Sequence, residues 1–525
     1  MSARADGASV VALLAAQAAT RPDAIALVEG RGAARRTITV ATLDDRARRL
    51  AAWLAADGLS AGDAVLVVHQ PTIDLYVLLV ALFRLGAVAM FVDLGAGRAV
   101  LEAACAISPP AAAFLGPRAQ LLRLASPALR RVPRCYTSGR WPLPFTRRIA
   151  GAAVHAPLAH DATTHADTPA LLTFTSGSTG APRAACRTHG FLRAQHDALV
   201  ATILADTGAR DLVAFPVVVL ANLARGVTSV LPDADLRRPG AVDAPRLLAQ
   251  CAAERPTRLS APPAMLARLV AASAPGDARW GSVREVVTGG GPVFPDLLDA
   301  LARVAPHARR LAVYGSTEAE PIAELDAATL TDADRARMAD GDGLPAGTPV
   351  APVRLRVIAS PAAHGWRLNA ATFDALARPP GVPGEIVVTG AHVLRGYWRG
   401  TGDEETKLRV GDTVWHRTGD VGALDADGRL RLLGRATATI TDARGTAYPF
   451  AAECALRLRW PALRAALVAH AGERVLVVER DGAPDDAALR ACLAFMPIDA
   501  VVRHNSKVDY PRLARLLGRE RPGAR

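Results

Sequence analysis

The chain has 525 residues, 50% of them apolar, with a formal net charge of +12 and an isoelectric point near 10.1. Length and apolar share exclude a short peptide or a disordered tail and predict at least two domains with sizeable cores. The basic residues run along the whole chain and are not gathered in a stripe, so no nucleic-acid partner is expected.

The first nineteen residues carry Arg4 and Asp6 ahead of an Ala/Leu stretch, without a sustained apolar core or a cleavage site, so no signal peptide is expected. Six cysteines lie far apart with no CxxC pair, which reads as free thiols in a reducing cytoplasm. Ala64 to Val68 reads as a strand. Tyr76 to Val92, the longest apolar run, is broken by Arg84 and Gly86 and is shorter than the ~20 residues a bilayer span needs. It predicts a buried helix, Leu75 to Leu85, followed by a buried strand, Ala87 to Val92, and no transmembrane segment.

Leu171 to Gly190 (LLTFTSGSTGAPRAACRTHG) runs from an apolar strand into a loop of hydroxyls and glycines. Gly177 and Gly180 permit close backbone approach. Thr175, Ser176, Ser178 and Thr179 bring hydroxyls, successive amides can form an anion nest, and Arg183 adds a cation that can engage phosphate oxygens. The spacing GxxxxGK[ST] is absent, which excludes the usual NTPase loop. Taken alone, such a loop is most often a surface turn.

A strand at Glu285 to Thr288 and a helix at Phe294 to Val304 continue the alternation, and together these elements predict α/β layers with mainly parallel sheets. Beyond about residue 380 the strands shorten into a β-rich subdomain, with Asp427-Gly428 as a hairpin signal. A helix at Ala451 to Leu458, a strand at Arg474 to Glu479 and a helix at Asp485 to Phe495 predict a small α+β domain. The boundary is placed at Arg435, giving a large domain over 1–434 and a small one over 435–525.

Motifs recur in order over nearly the whole chain. TSGSTGxP[KR] after an apolar strand resembles the signature loop of the acyl-AMP-forming superfamily, which holds acyl-CoA synthetases, peptide-synthetase adenylation domains and luciferases. Gly289-Gly290-Gly291-Pro292 resembles its adenine-side loop, and Tyr314-Gly315-Ser316-Thr317-Glu318 its YGxTE motif. Gly384 to Tyr397 resembles the segment that follows, and Arg417-Thr418-Gly419-Asp420 its RTGD motif. Gly434-Arg435 resembles the hinge-proximal Gly-Arg, and Asn505-Ser506-Lys507 the C-terminal [SN]GK motif with Ser in place of Gly.

The resemblance implies an enzyme that uses ATP and Mg²⁺ to convert a carboxylic acid into an acyl-AMP, with a mobile small domain. It implies Gly290, Gly291 and Pro292 beside the purine and Tyr314 stacked on it, with Gly315 and Ser316 in the same nucleotide loop. Thr317 would reach the α-phosphate, Glu318 would hold Mg²⁺, and Asp420 and Arg435 would bind the ribose.

Only two lysines, Lys407 and Lys507, stand among 62 Lys and Arg residues. In a background that uses Arg, even at Arg183, the ammonium of Lys507 suggests a compact point charge that contacts the substrate carboxylate and the α-phosphate during attack. The plain alternative is a solvated lysine near the C-terminus. Lys407 is the comparison: Lys507→Arg is expected to depress adenylation far more than Lys407→Arg.

The likeness is nearest to the olefin-pathway β-lactone synthetases, on Gly86 to Asp93, Phe215 to Asp233, Tyr314 to Pro321 and Arg503 to Lys507. In that branch the substrate's own hydroxyl captures the adenylate; elsewhere CoA or a carrier-protein thiol does so. Where many ligases place an aromatic or His, this chain has Val217-Val218-Val219, which implies an apolar acyl group against Val218 and Val219. Thr437 and the segment Arg444 to Ala447 lack residues that CoA users often place there. A non-catalytic nucleotide-binding module is the rival reading, and the joint presence of Glu318, Asp420 and Lys507 argues against it.

Overall fold

The computed structural model describes residues 9–92, 97–176, 182–204, 206–359, 367–461, 463–479 and 483–503. Two large sheets carry it. The first runs in the order Arg147–Arg148, Arg134–Thr137, Ala112–Leu115, Ala64–Val68, Val88–Val92, Pro169–Ser176, Pro182–Thr188. Its neighbours are parallel up to Pro169–Ser176, whose pairing with Pro182–Thr188 is antiparallel. The helix Ile73–Leu85 begins at Thr72, whose side chain accepts from the Leu75 amide, and ends at Gly86 in the left-handed region (φ 69°). Every residue of it except Asp74 is buried, which is why this run shows no polar face.

The second sheet has fifteen strands among the described residues. Ile25–Glu29, Thr228–Val230, Arg210–Val213, Arg258–Ser260, Glu285–Gly289 and Arg309–Ser316 are parallel in that order. The sheet then continues antiparallel through Ala319–Asp326, Leu344–Pro349, Leu430–Arg435, Thr413–Leu424, Gly384–Thr389 and Arg354–Ile358. The β-rich part expected beyond residue 380 is thus joined edge to edge with the parallel layer and begins earlier, at Ala319. The Asp427-Gly428 signal lies in the turn of the hairpin Thr413–Leu424/Leu430–Arg435, where Gly428 takes φ 77°.

The C-terminal residues build a smaller layer: helix Pro449–Arg459, a sheet of Ala465–His470, Glu473–Val478 and Ala500–Arg503, and helix Asp486–Cys492. Pro449 sits at the first turn and starts its helix two residues before the expected point, and Asp485 caps the second helix instead of joining it. Leu456, Leu467, Leu476 and Leu489 make this core, which also takes in Leu433 from the preceding hairpin. Among the described residues no helix is long and apolar enough to cross a membrane.

A buried ion pair ties the parallel layer together. Arg258 Nε stands 3.0 Å from Asp211 Oδ2, both side chains almost fully buried. Asn222 and Ser260 donate to the same carboxylate at 3.0 Å, and Arg258 donates to Asn222 Oδ1 at 3.0 Å. Breaking one side leaves an unpaired buried charge, so Arg258→Met is expected to destabilise the protein by about 3 to 5 kcal/mol. Asp211→Asn/Arg258→Met should recover part of that loss in urea unfolding; a double variant less stable than the single would contradict this account.

Candidate active site

The strands Glu285–Gly289 and Arg309–Ser316 stay in register to their carboxyl ends, where Gly289 faces Val313. A Cβ at Gly289 would stand 2.5 Å from the Val313 carbonyl oxygen, so this pairing needs glycine. The chain then turns at Gly290 (φ 73°), beside the Phe215 ring. A cleft of about 380 Å³ opens here, lined by Gly290, Gly291, Pro292, Tyr314, Gly315, Asp420 and Arg435, with Leu433 and Phe450 from the C-terminal side. Seven residues singled out in the sequence are thereby brought to one cavity, of a size suited to a small ligand.

Inside it the Tyr314 hydroxyl donates to Asp420 Oδ2 at 2.7 Å. Arg435 Nη1 lies 3.2 Å from Asp420 Oδ1 and donates to the Thr418 carbonyl at 3.2 Å. Asp420 and Arg435 are direct partners across the hairpin. Burial raises the Asp420 carboxyl, which Arg435 and the Tyr314 hydrogen bond partly offset. Burial and the adjacent carboxylate hold the Tyr314 phenol well above its ordinary value, so it remains a donor.

Glu318 lies at the turn between Arg309–Ser316 and Ala319–Asp326. Its amide donates to Ser316 Oγ at 3.2 Å, and its carbonyl accepts from the Leu394 amide at 2.7 Å. Its Oε1 accepts from the Tyr397 hydroxyl at 2.7 Å; Oε2 has no hydrogen-bond partner among the described residues. The Thr317 carbonyl accepts from Arg187 Nη2 at 2.8 Å. Burial lowers the Arg187 guanidinium, and Glu320 and Glu318 pull it back up.

Two cations stand over the Tyr397 ring: Lys407 Nζ at 5.2 Å and Arg183 Cζ at 5.9 Å from its centroid. Lys407 is only 3% exposed. Its ammonium donates to the Leu394 carbonyl at 2.5 Å and lies 3.0 Å from His416 Nδ1. Burial pushes it down to about 7 against the pull of Glu318 and Asp403. Burial and Lys407 hold His416 well below its usual value, hence neutral. Arg183 is buried and paired with Glu405.

Gly177, Ser178, Thr179, Gly180 and Lys507 lie outside the described residues, as do the side chains of Thr175 and Ser176, whose backbones pair with Arg183 and Pro182. Val218 and Val219 are packed into the core. The helix Pro216–Arg225 instead turns Val217, Leu220, Ala221 and Ala224 toward a cavity of about 20 Å³ beside Phe83 and Leu192, as its 3.6-residue period requires. Phe215, just ahead of that helix, is the residue of this segment that faces Gly290. Reading the sequence also missed Arg187, Tyr397 and Lys407. The scarcity of lysine was a signal for Lys407 as much as for Lys507.

Among solved structures, ATP-bound MatB from Rhodopseudomonas palustris overlays with a TM-score of 0.77 at 22% identity, covering 97% of this chain and 99% of that one. The amide bond synthetase McbA from Marinactinospora thermotolerans gives 0.76 at 24%, covering 97% and 99%. These likenesses show the fold. In sequence, the olefin beta-lactone synthetase of Xanthomonas campestris pv. campestris is 32% identical over 96% of this chain and 97% of its own length. The feruloyl-CoA synthase of an Amycolatopsis species is 32% identical over 78% and 76%. Since the AMP-binding enzyme family also matches residues 14–398, the greater part of the sequence, the chain belongs to that family of ATP-using, adenylate-forming ligases.

Proposed function

We propose that this enzyme activates a β-hydroxy fatty acid as its acyl-AMP and then closes it to a β-lactone. The end-to-end similarity to the olefin β-lactone synthetases carries this reading; the feruloyl-CoA synthase aligns with a shorter part of the chain. In the first step a carboxylate oxygen bonds to the α-phosphorus of ATP and pyrophosphate leaves. In the second, the substrate's own β-hydroxyl oxygen bonds to the acyl carbon, its proton is lost, and AMP departs with the electrons of the broken bond. The thiol of CoA or a carrier protein would take the hydroxyl's place in the alternative second step.

In this reading Gly290, Gly291 and Pro292 border the purine beside Tyr314, and Asp420 with Arg435 takes the ribose. The hydroxyls and amides of 175–180 surround the phosphates. Arg183 would have to leave Glu405 to join them; as it stands, it supports Tyr397. Thr317 and Lys507 act at the α-phosphate, Lys507 on the strength of the motif and of the scarcity of lysine. The donor set at Glu318 fits Mg²⁺, one carboxylate oxygen being anchored by Tyr397 and the other having no described partner. Among the described residues no group of three or more His, Cys, Asp or Glu could hold a metal, so phosphate oxygens would complete the shell. Bound there, Mg²⁺ would neutralise phosphate charge. The same reading divides the chain at Gly434, which has φ 116° and lies against Phe450, into a large domain over 1–434 and a mobile small one over 435–525. A cytoplasmic location, consistent with six free cysteines, belongs to the same proposal.

Lys407 supports Glu318 from two sides in this reading, through the Leu394 carbonyl and against the Tyr397 ring. Support of this kind is worth about 10- to 100-fold in activity or metal affinity.

Labelled pyrophosphate should exchange into ATP only with a β-hydroxy or fatty acid and Mg²⁺ present. A β-hydroxy acid should then yield β-lactone and AMP without CoA; acyl-CoA as the sole product would transfer the second step to a thiol. Asp420→Ala should weaken ATP binding by about 1.5 to 3 kcal/mol, roughly tenfold or more, in calorimetry, and unchanged affinity in the folded variant would remove Asp420 from the ribose. Lys407→Met should slow exchange at least about tenfold and raise the Mg²⁺ concentration required, with ATP affinity little changed. A merely structural lysine would lower thermal stability without moving the Mg²⁺ dependence.

A further inference from the structure

Most of the 62 lysines and arginines lie outside the residues assigned to the adenylation site. The charge is distributed unevenly in a way that arginine density conceals: residues 103–160 contain no Asp or Glu, while holding eight arginines. It is acid that is missing. Six of those arginines, at 118, 130, 131, 140, 147 and 148, are exposed. Arg118, Arg130, Arg131, Arg140 and Arg148 form no ion pair with any described residue. Two acids from other elements that reach this stretch are already engaged, Asp57 by Arg147 and Tyr136, and Glu102 by Ser126 and the Ala128 amide.

The same stretch exposes apolar side chains. Of the seven large apolar residues exposed among the described ones, five lie within 121–154: Leu121 at 57%, Leu124 at 70%, Trp141 at 87%, Phe145 at 92% and Val154 at 88%. Phe145 adopts φ 61°, a conformation uncommon for a non-glycine residue, and gains no packing by it. These are not loose ends of chain. Buried Gln120 donates to the Trp141 carbonyl at 3.3 Å and accepts from the Leu143 amide at 2.8 Å; Arg123 donates to Thr146 Oγ1 at 3.1 Å. The segment after Ala112–Leu115 and the loop after Arg134–Thr137 are thus pinned together. Both leave the carboxyl edge of the parallel sheet, the edge at which Pro169–Ser176 also ends.

We propose that the surface formed by residues 118–154 docks the protein peripherally on an anionic lipid bilayer. Trp, Phe and Leu tips enter the interface between headgroups and acyl chains while the surrounding arginines meet lipid phosphates. Aliphatic tips such as Leu121 and Leu124 favour a bilayer over a nucleic acid, which offers them no apolar phase. Leu121, Leu124, Trp141 and Phe145, exposed on two segments pinned to each other, are more apolar surface than a protein acting alone in water commonly leaves uncovered. Docking does not depend on which acid is activated or on how the adenylate is consumed.

The test is co-sedimentation of the full chain with phosphatidylcholine vesicles, with or without phosphatidylglycerol, at low and high salt. Binding should require the anionic lipid and weaken with salt. Trp141→Ser/Phe145→Ser and Arg131→Glu/Arg140→Glu should each reduce the bound fraction by about tenfold or more, while pyrophosphate exchange with a soluble acid stays at the wild-type rate. Equal binding to neutral vesicles, or unaltered binding by both variants, overturns the proposal. So does wild-type protein that binds duplex DNA but no vesicle, or that forms a dimer the variants dissolve without any vesicle binding.

Discussion

The turn between Arg309–Ser316 and Ala319–Asp326 is where the large sheet changes from parallel to antiparallel, and the geometry of the site follows from how tightly it closes. A Cβ at Gly315 would lie 2.9 Å from the Ala319 carbonyl oxygen, so the reversal depends on a glycine. On one side of it Tyr314 is delivered to Asp420; on the other, Glu318 is delivered to Tyr397. The antiparallel strands that follow bring Asp420 and Arg435 back to the carboxyl edge of the parallel ones. A nucleotide-sized cleft at that edge is where open α/β sheets generally bind ligands.

Much of this was legible in the residues. Apolar runs bounded by turn signals fixed the strand Ala64–Val68 to the residue and the helix Ile73–Leu85 to within two, because burial on all sides leaves no competing pattern. Gly290 and Gly291 are read in the sequence as glycines that let backbone approach a ligand, whereas the close approaches of Gly289 and Gly315 to backbone carbonyls emerge only in the structure. What could not be read was direction. Val218 and Val219 are apolar for the sake of the core, and sequence cannot say which face of the helix Pro216–Arg225 meets a cavity until its neighbours are in place. Arg183 was equally opaque: its partner Glu405 is more than two hundred positions away.

The scarcity of lysine in this sequence bears on Lys407 as well as on Lys507. An arginine-rich background that keeps a lysine indicates a site where a planar guanidinium does not fit. At Lys407 the reason is visible: a nearly fully buried ammonium lies within 3.0 Å of both a carbonyl oxygen and an imidazole nitrogen and stands over an aromatic ring. A compact charge satisfies all three, whereas a forked one would direct its donors past them. Motif order pointed to Lys507; packing points to Lys407.

Asp420 and Arg435 face each other across one hairpin, and Gly434 beside them takes a backbone angle that few other residues tolerate. The carboxylate of the cleft is therefore paired with the last residue of the strand Leu430–Arg435, at the entry to the C-terminal layer. If that layer turns about Gly434, the Asp420–Arg435 contact is stretched, and a nucleotide whose ribose both side chains hold favours the unturned state. Linkage makes the effect reciprocal: turning weakens nucleotide binding by the same free energy with which the nucleotide opposes turning. Occupancy of the cleft and orientation of the layer then form one coupled equilibrium, so departure of AMP would itself reset the orientation without a separate signal.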